Sequence, residues 1–108
     1  MLPFIGQGAA QAMEDGMTLM ACLRKIADIP QALARYQELR LPRTSFVQSL
    51  AAANKTRFHL PDGPEQAARD AKMAAGGTDW SIETIGWLYG HDAAAVVETG
   101  NLGLPEAA

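Results

Sequence analysis

The sequence has one cysteine, Cys22, two histidines, His59 and His91, and aromatic residues at only 6% of its 108 positions. A lone cysteine excludes an intrachain disulfide and a cysteine-based metal centre, and it fits a reducing, cytoplasmic compartment. Neither histidine has a partner at metal-ligand spacing, and each stands in a turn beside glycine, proline or aspartate, so both read as structural. No apolar run approaches the roughly 20 residues of a membrane span. The start lacks a basic stretch followed by an apolar core, so it does not read as a secretory signal. The nine basic residues are scattered and the net charge is −3, which argues against nucleic acid or an anionic membrane as partner. Neither a Ser-His-Asp set, nor a phosphate loop, nor a carboxylate pair placed for acid–base work can be read. The chain shows no catalytic residue of its own. Any chemistry would come from a cofactor.

What is present is helical. Residues 8–26 are rich in Ala, Met, Leu and Gln, contain no proline, and are apolar on most faces, which predicts a buried helix. Gly16 in its interior costs about 1 kcal/mol against alanine and suggests close packing on another backbone. Met13, Met17 and Met20 read as core, and Cys22 as a buried, inert thiol. Asp28 is a helix cap and Pro30 an early-helix proline. The second helix spans about 30–57, with Leu33, Tyr36, Phe46, Val47, Leu50 and Ala53 as packing residues. Pro42 removes a donor and is expected to bend the helix without ending it. Arg35, Arg40 and Arg43 lie near it, either as a solvated face or with Arg40 or Arg43 paired to Glu14 or Asp15 across the two helices. A third helix is expected over about 64–75, with Asp62 as its cap and Gly76-Gly77 as its stop. A fourth begins at Asp79 or Ser81 and runs through Leu88, with Trp80 and Trp87 on one face as a packing anchor. Asp92 caps a last short helix, 93–98. The fold class is therefore all-α, a small array of four to five helices.

The first fifteen residues hold the rest together. Pro3 sets a turn, Gly6 and Gly8 leave room for a close approach, and the helix start behind them offers free N–H groups at the positive end of the dipole. The string Leu2-Pro3-Phe4-Ile5-Gly6-Gln7-Gly8-Ala9-Ala10-Gln11-Ala12-Met13-Glu14-Asp15 closely resembles the flavin motif of FAD-dependent aromatic hydroxylases, the salicylate and para-hydroxybenzoate hydroxylase group. His59-Leu-Pro-Asp-Gly-Pro-Glu-Gln-Ala-Ala-Arg-Asp70 and Trp87-Leu-Tyr-Gly-His-Asp92 are similar to its salicylate- and hydroxynicotinate-hydroxylating branch.

The resemblance implies the C-terminal quarter of a larger α/β FAD-binding monooxygenase that uses NAD(P)H and oxygen to hydroxylate an aromatic ring. It divides the chain into residues 1–27, the end of the FAD-binding motif with its flavin-facing helix; 28–99, a helical region; and 100–108, a flexible tail. Cofactor contacts fall on Pro3, Gly6, Gly8, Ala9 and Ala10, and the substrate pocket on Pro3, Phe4 and Ile5. Because the family's Gly-rich dinucleotide fold and substrate sheet are not in this sequence, the isolated chain is expected to hold no FAD and to be inactive. It is also expected to self-associate through Phe4, Ile5, Met13 and Met17. The rival expectation is a non-catalytic helical interaction or dimerisation module.

Overall fold

The computed structural model describes residues 1–77 and 81–106. Among these residues the chain forms five α-helices and no strand: α1 Gly8–Lys25, α2 Ile29–Phe58, α3 Pro64–Ala74, α4 Ile82–Tyr89 and α5 Val96–Thr99. The expected all-α array is what forms.

Helices α1 and α2 make an antiparallel hairpin. Its joint is closed by the Ile26 amide on the Cys22 carbonyl at 2.9 Å and by the Asp28 carboxylate, which accepts the Gln31 amide at 2.9 Å. This is the cap expected at Asp28. Helix α2 runs unbroken through Pro42. Pro42 and Glu38, the residue whose carbonyl loses its helical donor, are both exposed, so water can take the vacant bond. With 30 residues against 18 in α1, α2 is longer by roughly 18 Å at ~1.5 Å per residue. The overhang carries the first residues of the chain.

The core is small: Cys22, Ala32, Leu39 and Val96 are buried together, with Ile26, Tyr36, Val97 and Leu102 packed against them. Burial pushes the Cys22 thiol up, with Arg35 opposing more weakly, in keeping with the inert thiol expected there. Thr18, fully buried, donates to the Ala93 carbonyl at 2.7 Å and ties α1 to the turn before α5. Asp92 caps that turn by accepting the Ala94 and Ala95 amides at 3.0 and 2.8 Å. Lys25 and Glu98 form an exposed ion pair between the ends of α1 and α5.

Several expectations are corrected. The buried stripe of α1 is Gln11, Thr18 and Cys22, with Gln7 just before the helix also buried, at helical spacing. Met13, Met17, Met20 and Leu23 lie outside it and are exposed, Met13 by 67%. They are not core. A Cβ at Gly16 would meet nothing within 4 Å, so no backbone packs there. On α2 the buried stripe is Ala32, Leu39, Arg40, Arg43, Val47 and Ala51. Leu33 and Ala53 are exposed, because the two arginines turn inward and rotate the packing face away from them. Asp62 does not cap α3, whose start is Gly63 with no side-chain cap. Gly76, at φ +80°, ends that helix as expected. The expectations for Asp79 and Trp80 lie outside the described residues. Trp87 is half-buried and meets Phe46 edge-on, with ring centroids 5.5 Å apart.

Candidate functional site

Two features of the hairpin bear on function: a buried charge cluster across α1 and α2, and the start of α1 beyond it. The cluster exists because Glu14 and Asp15 face Arg40 and Arg43 once the helices lie antiparallel. Arg40 is 3% exposed and Arg43 fully buried. Buried guanidinium groups are tolerated only when charge and donors are both matched, and here they are. Arg43 directs Nε and Nη2 to the two oxygens of Glu14 at 2.8 and 2.9 Å. Its other bonds go to the Trp87 carbonyl at 3.1 Å, the Leu88 carbonyl at 2.9 Å and the Gly103 carbonyl. All five N–H donors of the fork are thereby used. Arg40 donates Nε to Asp15 and Nη1 to Glu14, both at 2.7 Å, and Nη2 to the Gln11 Oε1 at 2.8 Å.

Of the two readings open for these arginines, the cross-helix pairing is correct. Burial pushes the Glu14 carboxyl up, but the hydrogen bonds from Arg43 and Arg40 outweigh it and hold the group below its ordinary 4.5. His91 stands beside the cluster. Burial, with the Arg43 charge adding to it, moves His91 below its ordinary 6.5.

Residues 100–106, read from sequence as a tail, are drawn into this structure by Arg43 and by Leu102 on the core. Gly103 has φ +60°, and a Cβ there would run into the His91 ring and come within 3.0 Å of the Arg43 guanidinium. Only glycine fits.

The start of α1 is a turn of unusual openness. The Gly6 amide donates to the Pro3 carbonyl at 3.0 Å, and Gly6 takes φ +63°. Gln7 is the N-cap residue but its side chain makes no capping bond, and no acidic residue lies in the first turn. The first helical bond is the Gln11 amide to the Gln7 carbonyl, 2.8 Å, so the amides of Gly8, Ala9 and Ala10 have no helical acceptor. A Cβ on Gly6 or Gly8 would point into open space. The structure thus brings Pro3, Gly6, Gly8, Ala9 and Ala10 to one end of α1. Phe4 is turned onto the α2 overhang, 6.4 Å from the Phe58 ring and 5.4 Å edge-on from His59, and its carbonyl accepts from Asn54 at 3.3 Å. Ile5 is half-buried.

Sequence reasoning missed Gln7, Gln11, Asn54 and Gly103. For the glutamines a signal existed: two amides four residues apart fall on the same helix face as Glu14.

This chain is similar to hydroxybenzoate monooxygenases and to FAD-dependent monooxygenases. It is 43% identical, over 98% of its length, to the 3-amino-4-hydroxybenzoate 2-monooxygenase of Streptomyces cremeus, of which it spans 24%. It is 38% identical to the FAD-dependent monooxygenase OpS4 of Beauveria bassiana, over 92% of this chain and 26% of that protein. The 3-hydroxybenzoate 6-hydroxylase of Polaromonas naphthalenivorans is 33% identical over 81% of this chain and 22% of its own length. The chain therefore spans about a quarter of the length of the relatives it matches. No family model and no solved structure matches it.

One feature of the structure suits FAD: the uncapped, glycine-fronted start of α1. Among the described residues there is no strand, hence no βαβ unit to take a dinucleotide. No helix among them is long and apolar enough to cross a membrane.

Proposed function

We propose that the chain is the C-terminal quarter of a cytoplasmic FAD-dependent monooxygenase that hydroxylates a hydroxybenzoate-like ring with NAD(P)H and oxygen, and that its part is to present the start of α1 to the flavin. The observation that carries this reading is the similarity, over nearly all of this chain, to monooxygenases, two of them FAD-dependent by name. The geometry supports the assigned role. The amides of Gly8, Ala9 and Ala10 are free to donate, Gly6 and Gly8 leave space for a flat group, and the helix dipole favours negative charge there. Bound FAD supplies the redox chemistry. The chain's own residues bind one edge of it, and Pro3, Phe4 and Ile5 border the substrate.

Alone, the chain is expected to retain no FAD and to oxidise no nicotinamide cofactor. The test is a chimera in which this chain replaces the matching quarter of the Streptomyces cremeus relative. The visible absorbance of flavin after gel filtration, with NAD(P)H oxidation on adding an aminohydroxybenzoate, supports the reading. A folded chimera without flavin overturns it.

The exposed stripe on α1 (Met13, Gly16, Met17, Met20, Leu23) favours one addition. In the parent it packs against the remaining three quarters, whereas in the isolated chain it drives self-association. That second behaviour is also what a helical interaction module would show. Phe4, packed on Phe58 and His59, is not part of this stripe. Light scattering at low micromolar concentration should report a dimer or larger; a clean monomer would show that the stripe is tolerated in water.

A further inference from the structure

A helix start that must donate to a ligand faces a conflict. Left uncapped it frays, but a capping Ser or Asp takes the amides the ligand needs. Gln7 occupies the capping position and is only 2% exposed, yet it accepts no amide of the first turn. Its Oε1 instead faces Gln11, whose Nε2 donates to it at 3.4 Å. Gln11, itself 3% exposed, uses its own Oε1 to accept from Arg40 at 2.8 Å, and Arg40 is clamped by Glu14 and Asp15.

From this chain of contacts we infer that Gln7 and Gln11 are positioning residues, a buried relay through which Arg40 holds the turn of residues 3–8 without consuming the amides of Gly8, Ala9 and Ala10. The inference rests on the reading that those amides serve the flavin. The geometry separates two tasks that one capping side chain usually combines. Anchoring is done from inside, by amide side chains tied to a charge cluster one turn further along α1. Donation is left to the outer surface. Asn54 and the Phe4 contacts hold the same turn from the α2 side.

Amide hydrogen exchange on the 108-residue chain tests the relay. Gln7→Met and Gln11→Met keep length and bulk but pass no hydrogen bond. Each is expected to speed exchange at the amides of Gln11, Ala12 and Met13 about three- to tenfold, the worth of one net hydrogen bond. Amides of Leu19–Leu23 should change less than about twofold, because only local opening is affected. The double variant should match the stronger single one, since a relay is broken once. Unchanged exchange at Gln11–Met13, an equal rise throughout α1, or additive effects would overturn the inference. If Gln11→Met does not fold, Gln7→Met decides alone, as it leaves the Arg40 contact in place.

This readout needs no flavin, so the relay can fail while the flavin reading stands. In the flavin-loaded chimera, Gln7→Met should weaken FAD retention. Faster exchange in the chain with unaltered retention would confine the relay to folding and remove its functional half.

Discussion

The middle of α2 and its C-terminal end are held by different physics. Near Pro42 the helix is fastened by Arg40 and Arg43, buried and satisfied by Glu14, Asp15, Gln11 and three backbone carbonyls. Beyond residue 52, Asn54 and the Phe4–Phe58–His59 contacts hold the first residues. Helix α3 has no buried residue, and Arg69 ties it to α2 by donating to the Arg57 carbonyl at 2.8 Å. The contrast teaches where this chain specifies its own structure. A buried ion cluster adds little net stability but is costly to break, so it fixes the register of α1 on α2. A helix that buries no residue is only loosely fixed, and changes there should be cheap.

The sharpest way to break the contrast is Arg43→Met. Removing one partner from a buried cluster leaves Glu14 short of charge and three carbonyls without a donor, and it should cost about 3–5 kcal/mol in urea unfolding. A loss below about 1 kcal/mol would mean that water reaches the cluster and that the middle and the C-terminal end of α2 are alike.

Acid should weaken the clamped middle in two stages. The folded pKa of His91 lies below its ordinary 6.5, so the unfolded chain takes that proton first. Stability then falls as pH drops from 6.5 toward the folded value. Glu14 is also held below its ordinary 4.5; its contribution is intact above 4.5 and is lost as pH falls through the folded pKa. Melting temperature against pH should thus be flat in the neutral range, decline below 6.5 and decline again below 4.5. In His91→Gln the first stage should vanish and the second remain.

Gly103→Ala comes next, at about 1–2 kcal/mol for the left-handed backbone alone, with the His91 ring forced to move. Asp28→Ala removes the α2 cap and should cost about 1 kcal/mol. The smallest effect is expected at the loose end: Arg69→Ala gives up an ion pair with Asp70 and the bond to the Arg57 carbonyl, and should cost about 0.5–1 kcal/mol. Thermal melts of the three variants sharpen the comparison. A large loss at Arg69 would show α3 to be as firmly specified as α1.

Much of the fold could be read directly. Helix α1 begins and ends within one residue of its expected limits, α2 passes through Pro42, Asp28 caps and Gly76 stops. These features depend on residues within a turn of one another, where propensity, capping and missing donors act locally. The open turn at Pro3–Gly8 was legible for the same reason. Residue pairing was less so: the composition of α2 allowed Arg40 and Arg43 to face either water or Glu14 and Asp15.

By itself, then, the sequence determined that the chain is helical, where its helices lie, and that a glycine-fronted helix start opens it. Tertiary structure decided which faces those helices turn inward. It put Arg43 on a carbonyl 60 residues away at Gly103, made glutamines rather than methionines the buried side of α1, and left Met13 to Leu23 uncovered. The physical reason is that an amphipathic pattern ranks faces by hydrophobicity, whereas burial here follows the satisfaction of two guanidinium groups. Which acceptors can gather around them depends on helix rotation and on chain segments far apart in sequence.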